Sequence, residues 1–298
     1  MNVIKNKIFN FVTLEFQTTY LPGLIMQNLE KYLRSKNPKE REYCLYWLTA
    51  FGIQSVVNLK PSENLFPIII RHIEGTVDIH RTRIELREFY NEWHRRHDDH
   101  HTHHEEEADK VSVRIMEVLL DDEFNLSFEY FSKVHHHMFH GIYHHSGELR
   151  EKPLSKKEWV LGNTAVLYPS TQNLREKIDY LFAKERSTDY SALSERHKIR
   201  HFCEFISRLF MANSFQFANS RAVFVFAVKY LLTLGFRIQN DTFYREAWYF
   251  RNAIIRACYT NMHQGIYPTT EYMEMFLYNL IRNEDNELKN HRMVIKGE

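Results

Sequence analysis

Asn213 to Phe224 reads NSFQFANSRAVF, a polar turn carrying Phe215, Asn219 and Arg221 that runs straight into an apolar stretch. Ala222, Val223, Phe224, Val225, Phe226, Ala227, Val228, Tyr230, Leu231, Leu232 and Leu234 are interrupted only by Lys229 and Thr233, and Gly235 follows as a C-cap. This pattern predicts a helix buried nearly all round. It is too short and too interrupted to cross a bilayer. The first N–H groups of a helix lack internal partners and sit at the positive end of its dipole, so a turn of small residues at such a mouth suits an anion. Asn219, Ser220 and Arg221 stand where phosphate oxygens would arrive. The plainer reading is a core helix with a polar entry turn.

Composition bounds the rest. A chain of 298 residues with 44% hydrophobic and 14% aromatic content can bury a full core, and 9 Gly with 7 Pro favour helices over a turn-rich β fold. A formal charge of +1 gives no nucleic-acid footprint. Cys44, Cys203 and Cys258 are odd in number and widely spaced, implying neither a disulfide framework nor a CxxC metal site, and a reducing cytoplasm fits. The N-terminal MNVIKNKIFNFVTLEFQTTYL lacks a signal-peptide pattern because Asn10, Glu15 and Gln17 break its apolar run, and it reads as the first folded segment.

Helical spacing is expected from about 24 to 58 with a break at Asn37-Pro38, from Pro67 to the Glu74 region, and from Thr82 to Trp93. HRRHDDHHTHHEEEAD, His94 to Asp109, reads as an exposed loop or a solvated helix extension, and as the boundary between an N-terminal helical part and a core. Further helices are expected over Val111 to Leu120, Phe128 to Met138, Gln172 to Glu185, Ser194 to Met211 and Thr242 to Tyr259. Trp159-Val-Leu161, a Gly162-Asn163 turn and Thr164 to Tyr168 predict a hairpin.

The Asn213 to Phe224 segment resembles the signature of the Fic (Fido) family, H-x-F-x-(D/E)-G-N-x-R-x-x-R, whose typical members transfer AMP from ATP to a hydroxyl side chain of a target protein. Aligned on Phe215, Asn219 and Arg221, the family's general-base His falls on Asn213 and its Mg²⁺-holding carboxylate on Phe217. Its glycines fall on Ala218 and Ser220, and its second Arg on Phe224. His72-Ile-Glu-Gly75 resembles the family's inhibitory segment, with Ile70 in place of the usual Ser/Thr. His140 to Arg150 resembles the family's IYxWAGxxR segment, and Asn286 to Arg292 resembles a C-terminal ending common in bacterial members.

The resemblance implies a mostly α Fic-fold helical bundle with a short β-hairpin flap and an N-terminal helical extension. It divides the chain into an N-terminal region, 1–110, with the inhibitory-like segment 70–76 and the His-rich loop 94–109, and a core, 111–298, packed with it as one unit. The flap residues are Leu161, Gly162, Asn163 and Thr164, whose hairpin edge would receive an unknown target protein. Glu74 takes the inhibitory position. Its usual partner, the second Arg, is Phe224 here, so it either pairs with Arg221 and closes the anion site from inside or stands exposed at a helix end.

Chemistry separates the alternatives. Asn213 has no titratable group, and loss of a base alone removes a factor of roughly 10² to 10⁴. Phe217 offers no oxygen to Mg²⁺, so that ion is not held in the usual way. The expected protein is therefore a bacterial, cytoplasmic Fic-type protein with a degenerate site, binding nucleotide (ATP) or protein with weak or no AMP transfer. One alternative is an active adenylyltransferase using a non-standard base such as a histidine of the 135 to 145 cluster. Another is a metal binder built on the eighteen histidines, although no ligand motif assigns a metal site. A homo-oligomer is compatible with the sequence; a nucleic-acid or membrane partner is not expected.

Overall fold

The computed structural model describes residues 22–96 and 103–295, so the N-terminal segment read above as the first folded element lies outside the described residues. Eleven α-helices are described: α1 (Pro22–Leu33), α2 (Pro38–Ser55), α3 (Phe66–Ile73), α4 (Ile79–Arg96), α5 (His103–Leu120), α6 (Phe128–Phe139), α7 (Leu174–Arg186), α8 (Glu195–Ala212), α9 (Asn219–Thr233), α10 (Thr242–Cys258) and α11 (Glu271–Arg282). The antiparallel pair β1 (Ser155–Glu158) and β2 (Thr164–Leu167) separates α6 from α7. The expected mostly α bundle with one hairpin is what the chain forms.

Local sequence sets the breaks. Asn37 caps α2 by accepting from the Lys39 N–H at 3.0 Å, and Pro38 takes the first helical position, where its missing donor costs nothing. Ser127 caps α6 and Ser194 caps α8 in the same way. The helix α9 lies at the centre as its composition demands: Ala222 to Tyr230 are all buried. Even Lys229 is buried, its ammonium donating to the Asp121 carbonyl just past the end of α5.

The helix α2 crosses α10 at Gly52, where a Cβ would stand 2.4 Å from the Phe243 carbonyl oxygen. Replacing Gly52 by Ala is expected to lower stability by about 1–3 kcal/mol, because overpacking outweighs the better helix propensity of Ala; a thermal midpoint equal to the parent's would refute the close crossing.

Two expectations are corrected, the second only in part. The hairpin's first strand is Ser155–Glu158, while Trp159 to Leu161 form a 3₁₀ turn that buries Val160 and Leu161 in the core. Glu158 pairs with Thr164, so the five residues 159–163 connect the strands in place of a two-residue turn, and Gly162 and Asn163 close that connection with φ of 61° each. For the His-rich tract the helix-extension alternative holds, with α4 running to Arg96, α5 starting at His103, and Arg95, Arg96, His103, His104 and Glu105 exposed; only its end from Glu106 departs from the solvated reading. Residues 97–102 lie outside the described residues, but Ala108 and Asp109 are buried. The Asp109 carboxylate accepts from the Ser62 N–H at 2.8 Å, the Ser62 hydroxyl at 2.6 Å and the Tyr90 hydroxyl at 2.7 Å. Burial raises its pKa from the ordinary value to about 6.

Candidate functional site

The turn at the mouth of α9 is built around a buried aromatic anchor. Phe215 is fully buried, lying 3.9 Å from the His135 ring and 5.0 Å from the Phe131 ring, centroid to centroid. Asn213 ends α8 in the left-handed conformation at φ 46°, a position Asn tolerates better than most residues. Ala218 enters α9 at φ 56°, so the chain keeps at this point a conformation natural to glycine although a Cβ is present. Between these points the Asn219 amide closes the turn on itself: its Oδ1 accepts from the Phe215 N–H at 2.7 Å and its Nδ2 donates to the Phe215 carbonyl.

Arg150 fastens this turn to the hairpin. Its Nε donates to the Asn213 carbonyl at 2.7 Å, its Nη1 to the Lys152 carbonyl at 2.9 Å, and its Nη2 to the Pro169 carbonyl. The Arg150 N–H also donates to the Ser214 carbonyl, and Leu149 bridges Phe215 as a single antiparallel pair. His135 holds the other side. The Gly147 N–H donates to its Nδ1 at 2.8 Å, which leaves Nε2 as the protonated nitrogen donating to the Phe217 carbonyl at 3.1 Å. Burial lowers its pKa to about 4. Both ring nitrogens are thus committed to backbone, and this imidazole is a brace for the turn.

Arg221 is buried and faces inward. Its Nη1 donates to the Glu107 carboxylate at 2.8 Å and to Gln54 Oε1 at 2.9 Å, and its Nη2 donates to the Tyr143 hydroxyl at 2.7 Å. The Tyr143 hydroxyl donates in turn to Glu107 at 2.7 Å, and the guanidinium lies 4.7 Å from the centre of the Phe139 ring. A guanidinium so surrounded is neutralised by a carboxylate in a site of low dielectric. Phe217 is half exposed and stacks on Tyr143 with centroids 5.5 Å apart, adding an aromatic cover. Phe224 is fully buried between Phe210, Phe243 and Phe250.

The carboxylate on Arg221 is Glu107, not Glu74. Glu74 sits at the C-terminus of α3, which Gly75 terminates at φ 74°; it accepts from the Tyr32 hydroxyl and lies 3.7 Å from the Lys31 ammonium. The Ile-Glu-Gly segment is here a helix stop facing α1. Its neighbour His72 is buried, accepting from the Trp47 indole N–H at 3.2 Å and stacked on Tyr43. Burial lowers the His72 pKa to about 4.

The turn thus brings together Asn213, Phe217, Asn219, Ser220 and Arg221, and Arg150 links it to the hairpin. Of the four flap residues, Leu161 is part of the core, whereas Gly162, Asn163 and Thr164 are exposed. Among the described residues no three His, Cys, Asp or Glu side chains gather as a metal site. The histidines of the 135 to 145 segment bond elsewhere: His136 to the Ser146 carbonyl, His137 to Glu117 and His145 to Glu148. No described helix is long and apolar enough to cross a membrane.

Sequence reasoning missed Glu107, Gln54 and Tyr143. A usable signal existed for Glu107: extending the Val111, Ile115, Leu119 face one turn back places position 107 on it, with Ala108 adjacent. The polar composition of the tract masked that periodicity.

No protein-family profile and no curated protein matches the sequence. Among solved structures the chain is similar to a Fic family protein from Desulfovibrio desulfuricans, at 12% identity and a TM-score of 0.56, covering 91% of this chain and 75% of that one. It also overlaps the N-terminal FIC domain of a VirB-translocated effector from a Bartonella species (12% identity, TM-score 0.47, 58% of this chain and 81% of that one). A third match is BepC from Bartonella tribocorum with bound AMPPNP (14% identity, TM-score 0.45, 62% and 88%). The likeness over nine-tenths of the chain to the Desulfovibrio structure, with helices and hairpin in the expected order, establishes that this protein has the Fic fold.

Proposed function

We propose that this Fic-fold protein acts by binding, to a protein or a nucleotide, with weak or no transfer of AMP. The observation that carries the proposal is the state of Arg221: the cation at the helix mouth is already taken by Glu107, Gln54 and Tyr143. A phosphate entering there must first displace a carboxylate. The chemistry of transfer is short of parts as well. Asn213 cannot accept a proton from an attacking hydroxyl, and the adjacent imidazole, His135, has both nitrogens bonded to backbone. Phe217 stacks on Tyr143 at the position where a Mg²⁺ ligand would be needed. The hairpin remains available to a protein partner through its exposed Gly162 to Thr164 tip and its backbone edge.

Titration with ATP and Mg²⁺ in a calorimeter, followed by intact-mass measurement of the protein and of a lysate incubated with labelled ATP, tests this. Heat without an AMP adduct, or neither, is expected. A covalent AMP adduct on this protein or on a lysate protein would overturn the non-transferring reading.

A further inference from the structure

A cleft with about 290 Å³ of room is set between α7, the last turn of α8 and Pro169. Its floor is apolar: Leu174, Ile178 and Leu181 from α7, and Met211 and Ala212 from α8. Its rim is basic, with Lys177 and Lys184 on α7 and Arg208 on α8, all three exposed. Tyr180 stands at the same rim, 71% exposed, an unusual amount of bare aromatic surface. The acids nearby are largely engaged or peripheral. Asp179 is held by Arg175 at 2.7 Å, and Glu204 approaches Arg208 only at 3.7 Å on the exposed edge. Lys177 reaches the Gln172 carbonyl at 3.4 Å, and no carboxylate pairs with Lys177 or Lys184 among the described residues.

We propose that this cleft docks an acidic amphipathic segment of a partner protein, with apolar side chains on the α7–α8 floor and carboxylates against Lys177, Lys184 and Arg208. The spacing of the cations decides the class of ligand. Lys177 and Lys184 are seven residues apart on one helix, about 10 Å along its axis, so a single carboxylate head group cannot satisfy both. A peptide with acidic residues flanking its apolar anchors does. The groove between two helices suits the helix-in-groove mode, in which anchors recur at i, i+3, i+4 and i+7. This inference rests on the protein-binding part of the function proposed above and is independent of the turn chemistry. An AMP adduct would leave it standing, and its failure would leave the non-transferring reading standing.

The probe is a fluorescein-labelled peptide of about 14 residues with Leu on one helical face and Glu elsewhere, read by anisotropy against the full chain. Its control carries Lys in place of Glu. The acidic peptide is expected to bind with an affinity that falls with added salt, and Lys177→Glu with Lys184→Glu together are expected to weaken it about tenfold or more, since like charges then meet at the rim. Both lysines are exposed, so the variant's melting temperature should match the parent's and certify its fold. Equal binding of the basic control, unchanged binding by the charge-reversed variant, or no binding of the acidic peptide would overturn the proposal. So would binding of decanoate at this cleft in place of the peptide.

Discussion

Glu107→Ala is expected to lower the free energy of unfolding by about 3–5 kcal/mol, the usual cost of leaving one partner of a buried ion pair uncompensated. The Arg221 side chain is only 3% exposed, so its guanidinium stays largely out of water when the carboxylate is lost, although Glu107, at 17% exposed, marks the side from which water partly replaces it. Tyr143 loses the acceptor for its hydroxyl in the same substitution. An exposed pair such as Arg96 with Glu92 sets the contrast, because removing it should change stability by about 1 kcal/mol at most. The double variant Glu107→Leu with Arg221→Met removes both charges together and is expected to recover much of the loss. Urea unfolding of the three variants checks this. A loss below about 1 kcal/mol for Glu107→Ala would mean that the carboxylate does not hold Arg221 in solution.

Mild acid is expected to produce the second large effect. His72 and His135 are both buried, with folded pKa values lowered from the model-peptide value to about 4. Above pH 6.5 both are neutral, folded or unfolded, and contribute nothing to the pH dependence. As pH falls below 6.5 the unfolded chain takes up protons that the folded one refuses, so stability drops until about pH 4, by about 3 kcal/mol for each imidazole. Asp109 works in the opposite sense: its folded pKa, raised to about 6, lets the native state bind a proton first, and it returns about 3 kcal/mol between pH 6 and pH 4. The net expectation is a loss of about 3 kcal/mol from pH 7 to pH 4, before other groups titrate. Urea titrations at stepped pH measure it, and a stability that stays level or rises from pH 6.5 to pH 4.5 contradicts the neutral, buried state of the two histidines. Loss of protonation at Asp109 in Asp109→Asn should steepen the decline.

Fold and site were legible to different degrees, for physical reasons. The helices follow apolar period and caps, and α2, α6 and α8 start at the Asn, Ser and Ser that the chain supplies as caps. The helix α9 was readable from its composition because burial on every face leaves little room for polar residues. The first strand of the hairpin was misplaced: Trp159, Val160 and Leu161 have strand propensity, yet tertiary burial of Val160 and Leu161 folds them into a tight turn and hands pairing to the polar Ser155 to Glu158. At the site, local sequence located Asn219 and Arg221 but not what they touch. The partners of Arg221 come from α2, α5 and the segment after α6, 167, 114 and 78 positions away along the chain, a convergence that only packing creates. The role expected for Glu74 drew on an Ile-Glu-Gly triplet that any helix ending in a glycine C-cap can show.

Arg150 gives this architecture a mechanical property. One planar fork reaches the ascending stem of the hairpin at Lys152, its descending stem at Pro169, and the terminus of α8 at Asn213. A guanidinium resists bending out of its plane, so these three strands of chain are clamped as by a rivet. A pull on the hairpin would be delivered to the end of α8 rather than dissipated in slack loop.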